Sequence, residues 1–175
     1  TDWVDEAFRT GNTKNFELQA SGGNEKTQFF ISGGAFLQDG TLIESSFERY
    51  TTRINLNHKA TEKFDLGVNF NVSYTDQLNA VAGNRFASPL LGAFVNTPLQ
   101  SKINPATGEL YTGQEPDFNI FTSDNFLYSA HINPVINNSL RTIAKAYATY
   151  NFTDNVRLTQ NLAVDFLSMK EFQFQ

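Results

Sequence analysis

Residues 64–74, Phe-Asp-Leu-Gly-Val-Asn-Phe-Asn-Val-Ser-Tyr, alternate without a break: every even position is apolar or aromatic and every odd one is small or polar. A period of two marks a β-strand with one oily and one wet face. Ten residue steps of roughly 3.3 Å, tilted by about 40°, rise about 25 Å, the height of the apolar band on an outer-membrane barrel. Phe64 and Tyr74 fall at the two ends, where an interfacial girdle belongs. A soluble sandwich strand alternates too, usually over fewer residues.

The same reading along the chain predicts about six strands. The first covers 14–21, with Phe16, Leu18 and Ala20 on one face, and ends at Gly22-Gly23-Asn24, residues suited to positive φ. The second covers 27–39, with Phe29, Ile31, Ala35 and Leu37 sharing a face and Phe30 and Phe36 opposite. The third, 49–59, places Tyr50, Ile54 and Leu56 against Arg49, Arg53, Asn55 and Asn57. A turn at 60–63 leads into 64–74, and pairing Leu56 with Leu66 and His58 with Phe64 keeps both apolar sets together. A fifth strand is expected over 140–152, a turn at Thr153-Asp154-Asn155, then a sixth strand carrying Val156, Leu158, Leu162, Val164 and Phe166 on one face.

Between residues 77 and 139 the alternation stops, and this stretch holds all five prolines. A connection of such length is rare unless it has a task. Within it, Ser88-Pro89 followed by Leu90, Leu91, Phe94 and Val95 predicts a short amphipathic helix, with Pro98 beyond its end. Tight turns at 22–26, 60–63 and 153–155 thus alternate with longer connections at 40–48 and 77–139. Outer-membrane barrels show this rhythm, with short periplasmic turns and long extracellular loops.

Composition narrows the choice. The chain has 175 residues, net charge -5 and no cysteine, its mean hydropathy is -0.36, and no apolar run approaches the length of a membrane-spanning helix. A barrel wall is apolar only at every second position, so a hydrophilic average suits it. Seventeen Phe and six Tyr supply the aromatics that strands and girdles favour. Lack of cysteine removes disulfide scaffolds, thiolate zinc sites and thiol nucleophiles, and the acidic balance argues against nucleic acid. No secretory leader precedes Thr1, as expected of a mature chain or of a piece of a longer one.

Candidate chemistry is sparse. His58 and His131 have no partner at metal-ligand spacing and read as solvated or rim side chains. Glu115, Asp117 and Asp124 lack the order of a calcium loop and read as a solvated acidic stretch. No Gly-Lys-Ser follows the glycine pairs, and Gly33-Gly34 reads as a bend or close approach within a strand. No recognisable pair of catalytic groups appears, so neither enzyme activity nor a cofactor or metal is expected. If the even face of 64–74 meets lipid, Arg49, Arg53, Asn55, Asn57, Asn69 and Asn71 face the lumen, together with Asp65 and Ser73. They would line water, hold an internal domain, or touch a sugar or peptide. The loop aromatics Phe86, Phe94, Tyr111, Phe118, Phe121, Phe126 and Tyr128 would pack on one another, or offer sugars a stacking platform or a partner a docking surface.

One family resemblance rests on words rather than pattern. Thr1-Asp2-Trp3-Val4-Asp5-Glu6-Ala7-Phe8-Arg9-Thr10-Gly11, then Ser21-Gly22-Gly23-Asn24-Glu25-Lys26-Thr27, Gln38-Asp39-Gly40, and Phe47-Glu48-Arg49-Tyr50-Thr51-Thr52-Arg53-Ile54-Asn55-Leu56-Asn57 follow in order. Together they resemble the early barrel region of SusC/RagA-type TonB-dependent transporters of Bacteroidetes outer membranes. Beyond residue 77 the likeness is one of pattern alone. The resemblance implies an all-β chain of antiparallel up-and-down strands, residues 1–175 being a segment of a large transmembrane β-barrel of about 22 strands. Nothing in it resembles the plug domain or a terminal barrel strand. It further implies a parent protein in the outer membrane that imports oligosaccharides or peptides, with a SusD-like surface lipoprotein over its mouth and TonB as its drive. A secreted carbohydrate-binding β-sandwich and a small self-contained outer-membrane barrel are the alternatives.

Overall fold

The structure is a computed structural model and describes residues 1–80, 87–118 and 125–173. Six strands form one sheet in chain order: β1 (Thr13–Gly23), β2 (Thr27–Asp39), β3 (Ser46–Thr61), β4 (Phe64–Asn79), β5 (Val135–Thr153) and β6 (Val156–Gln173). Each is antiparallel to its predecessor. Outside the sheet lie the short helices α1 (Trp3–Ala7), α2 (Pro89–Val95) and α3 (Phe126–Ile132).

Register carries the alternation across the whole sheet. Ala20, Ile31, Ile54, Phe70, Ala144 and Val164 are successive partners and make one apolar row from edge to edge. One residue along, on the opposite face, the row reads Gln19, Ser32, Arg53, Asn71, Ile143 and Asp165. A slip of one residue anywhere would exchange these faces, which is why the pattern specifies register so firmly. On the apolar face, rings mark both ends: Tyr50 pairs with Tyr74 at one, while at the other Phe64 meets Tyr150 at 6.4 Å and Tyr150 meets Phe152 edge-on at 4.9 Å.

The expected β3–β4 pairing needs correction. Leu56 pairs with Val68 and His58 with Leu66, two residues from the sequence-based register. A bulge between Lys59 and Thr61 and a turn of only Glu62 and Lys63 cause the shift. An even shift preserves the faces, so the error is invisible to a parity argument.

Side-chain oxygens hold the tight turns. Asn24 Oδ1 accepts from the N–H groups of Lys26 and Thr27 at 2.9 and 2.8 Å. Thr153 Oγ1 accepts from those of Asn155 and Val156 at 3.4 and 3.2 Å. Of the three residues expected at positive φ, only Gly23 adopts it, at +152°. At the other end β4 runs on to Asn79 and β5 starts at Val135, and these two residues pair. The long connection is therefore 80–134 rather than 77–139, and both its stems stand on one rung of the ladder. The expected helix is α2, with Ser88 in the N-cap position and Pro89 opening it.

Among the described residues the buried apolar side chains lie outside the strands: Trp3, Ala7, Ala93, Tyr111, Phe118, Phe126 and Ala130. The sheet itself covers neither face.

Candidate functional site

Two regions stand out: the polar face of the sheet, and the folded cluster at its loop end. On the polar face, Arg49, Arg53, Asn55 and Asn57 of β3 share one side with Asn69 and Asn71 of β4, with Arg53 opposite Asn71 and Asn55 opposite Asn69. Register adds Arg141, Lys145 and Tyr147 from β5 and Asp165 from β6, side chains that a strand-by-strand reading passed over. Arg141 and Asp165 form a two-pronged ion pair, Nε to Oδ1 at 3.2 Å and Nη2 to Oδ2 at 2.8 Å. The Arg49 guanidinium lies 5.5 Å from the centre of the Phe36 ring, which meets Phe47 edge-on at 6.0 Å.

Nearer the tight turns, Tyr147 lies across Gly67 and donates from its hydroxyl to Asn57 Oδ1 at 2.8 Å. A Cβ at position 67 would overlap the Tyr147 ring, so glycine is required for the tyrosine to cross β4 and reach β3. This bridge borders a polar groove of about 410 Å³ whose lining includes Lys59, Asp65, Asn151 and Arg157. His58 lies beside it and shares a 2.8 Å hydrogen bond with Thr27 Oγ1.

The loop end is built differently. Asp2 caps α1 by accepting from the N–H groups of Val4 and Asp5, both at 3.1 Å. Helix α1 then docks on the 40–45 connection: Ile43 N donates to Ala7 O at 3.0 Å, and Arg9 donates to Gly40 O and Ser45 O at 3.0 and 2.8 Å. On its other side Trp3 donates from Nε1 to Thr97 O at 2.9 Å. Its ring meets Phe126 at 5.5 Å and Phe118 at 6.5 Å, both edge-on. Gly92 of α2 leaves the space that the Phe126 ring fills. Asn125, fully buried, caps α3 by accepting from Leu127 N at 3.1 Å and donates to Tyr111 O at 2.8 Å. Lys102 Nζ pairs with Glu6 at 2.5 Å.

The acidic stretch serves this loop. Glu115 accepts from Thr112 N at 3.0 Å and from Gly113 N at 3.0 Å. These bonds, Thr112 foremost, hold its carboxyl below the ordinary glutamate range. Tyr111 donates to Asp117 Oδ2 at 2.8 Å, and that bond raises the phenol above its usual value. Asp124 lies outside the described residues.

The expected loop aromatics therefore divide. Tyr111, Phe118 and Phe126 are core residues, buried in one cluster with Trp3, Ala7 and Ala93. Packing of the loop on itself is only part of the account, since Trp3 and Ala7 come from the start of the chain. Phe94 is 70% exposed, Tyr128 is half-buried, and Phe86 and Phe121 lie outside the described residues. Helices α1 and α3 were not foreseen, although Asp2 and Asn125 are recognisable N-cap residues.

No family model matches the chain. It is 42% identical over 69 residues to TonB-dependent receptor P3 of Formosa agariphila, a match covering 39% of this chain and 7% of that receptor. With TonB-dependent receptor P26 of the same organism it shares 24% identity over 181 aligned residues, 99% of this chain and 17% of the receptor. Among solved structures it resembles the RagAB peptide importer in its open-open state (TM-score 0.77, 21% identity, 97% of this chain and 19% of the other). The closed-closed state gives a TM-score of 0.72 at 20% identity, covering 97% and 19%. The chain thus spans less than a fifth of the length of each of these proteins. In sequence it is similar to parts of two TonB-dependent receptors, and in fold to part of the RagAB importer, as one sheet of antiparallel up-and-down strands. The RagAB likeness is one of fold, at 20–21% identity.

Proposed function

We propose that the chain forms part of the wall and mouth of an outer-membrane importer of oligosaccharides or peptides. The observation that carries this reading is the two-faced sheet: one face apolar from edge to edge and banded by rings at both ends, the other lined by amides and cations. Such a sheet suits hydrocarbon on one side and an aqueous lumen on the other. On this reading Arg49, Arg53, Asn55, Asn57, Asn69 and Asn71 face the lumen. The tight turns at 24–26, 62–63 and 154–155 lie on the periplasmic side, and α1, the 40–45 connection and the 80–134 insert outside.

The likeness to the RagAB peptide importer supports a surface lipoprotein of SusD type as partner at the mouth, and the likeness to TonB-dependent receptors supports TonB as the drive. Among the described residues of the insert, Phe94 and Leu99, 70% and 95% exposed, are the apolar side chains best placed to meet such a partner. The test uses the full-length parent in its own cells. A photo-crosslinker at Phe94 should capture a surface lipoprotein, and protease added to intact cells should cut near the exposed 105–109 turn. Deleting the parent gene should abolish growth on its glycan or peptide source. Unchanged growth on every glycan and peptide tried, or cleavage only after the outer membrane is breached, would sink the reading.

A further inference from the structure

Charges on the polar face differ in how they are satisfied. Arg141 has Asp165, and Arg49 has the Phe36 ring. Arg53 and Lys145 are exposed, and no described side chain gives either one a hydrogen bond, ion pair or ring contact. The same holds for the side chains of Asn55, Asn69 and Asn71.

Register gathers these five on three consecutive strands. Arg53 stands opposite Asn71, and Asn55, Asn69 and Lys145 form the adjacent row of the same face. Two strand spacings of about 4.8 Å and one pleat of roughly 7 Å put the Cα atoms of Arg53 and Lys145 about 12 Å apart. Two long side chains approaching from opposite ends can both reach a group held above Asn69 and Asn71. Glu17, on the same face, lies on β1, two strands from Arg53 and further from Lys145, and it pairs with neither.

We propose that this patch binds a carboxylate on the cargo that moves along the wall. The inference rests on the reading of the polar face as lumen. Arginine supplies a planar fork suited to such oxyanions, lysine a point charge, and the amides add neutral N–H donors between them. Both cations face the lumen rather than lipid, so they stay hydrated until an oxyanion reaches them, and their combined field favours its approach. Where the wall requires a fixed neutral pair it supplies its own, as Arg141 and Asp165 show on the neighbouring strands.

The test uses the full-length parent with its lipoprotein in cells and four labelled probes: an oligogalacturonate and its methyl ester, and a glutamate-rich peptide and its glutamine counterpart. Wild type should take up the charged member of one pair in preference to the neutral one, and the pair preferred identifies the source of the anion. Arg53→Gln with Lys145→Gln should cut that preference about tenfold and remove its salt dependence while uptake of the neutral probe is unchanged. Asn69→Asp, which sets a fixed carboxylate inside the patch, should act in the same direction and serves if the double variant fails to assemble. Uptake with no charge preference, or a preference that survives these changes, overturns the inference alone. Uptake of none of the four overturns it together with the importer reading. If the double variant keeps its preference but admits a bulky antibiotic through the barrel, the two cations pair with fixed carboxylates of the parent, and the inference is again wrong.

Discussion

The wall and the mouth of this chain solve the burial problem in opposite ways. In the mouth, Trp3, Tyr111, Phe118 and Phe126 are nearly or wholly inaccessible and pack on one another across more than a hundred residues of sequence. In the wall, neighbouring strands pair along their length apart from irregularities beside Ala60 and Phe152, yet Leu18, Leu162 and Val164 remain 83%, 69% and 61% exposed. A sheet with both faces open is stabilised by its ladder and by whatever covers its apolar side. The mouth carries its own core, whereas the described strands bury no apolar side chain.

The largest test of that contrast is Phe126→Ala. Removing a fully buried ring costs about 3–5 kcal/mol, so in the full-length parent α3 should detach from Trp3 and Gly92, and the 105–109 turn should be nicked faster by protease. Barrel folding, read by heat-modifiable migration, should be unaffected; parallel loss of both would show that the two regions are one cooperative unit. Val68→Arg probes the other side. A cation at mid-depth of a lipid face costs about 2–4 kcal/mol, so assembled barrel should fall sharply, while Asn69→Arg, one residue away, should assemble normally. Equal effects at 68 and 69 would remove the distinction between the faces.

A smaller effect is expected at the Tyr147 crossing. Gly67→Ala forces the ring aside and should cost about 1–3 kcal/mol, whereas Tyr147→Phe, which loses only the bond to Asn57, should cost about 1 kcal/mol. Denaturant midpoints of the parent barrel would rank the two, and the reverse order would mean that the hydroxyl, not the crossing, matters. The mildest is a pH effect confined to the mouth. Because its hydrogen bonds hold the Glu115 carboxyl below the ordinary range, its contribution to the 111–118 loop is present above that range and lost as pH falls through the lowered value. Amide exchange across 111–118 should quicken in acid, and Glu115→Gln should flatten that dependence.

The sequence disclosed the wall far better than the mouth, for physical reasons. Period-two patterning is local, so Phe64 to Tyr74 declare both strand and face within eleven letters. The bulge beside Ala60 is equally local but leaves parity intact, and the register went two residues astray. Strand ends fared worse: Thr75 to Asn79 and Val135 to Ser139 pair as fully as their neighbours, but they extend past the apolar band, where both faces are mixed and alternation carries no signal. The polar face of β3 and β4 was legible as a set of residues, yet Lys145 joins Arg53 only through register. In the mouth, the ring partners of Trp3 are set by tertiary contact, which no local period reports. The caps Asp2 and Asn125 were the available clues to α1 and α3.

The rung between Asn79 and Val135 has a consequence for how such proteins diversify. Since both stems of the insert stand side by side on the last rung of one hairpin, its contents can be lengthened, shortened or exchanged with little demand on the strands below, loop closure adding only about 0.6 kcal/mol for each doubling of length. What constrains an exchange is the socket for Trp3: a grafted segment that lacks counterparts to Gly92, Phe118 and Phe126 leaves the indole without a seat. The wall is a chassis, and the indole is the keyed connector that decides which mouths will fit it.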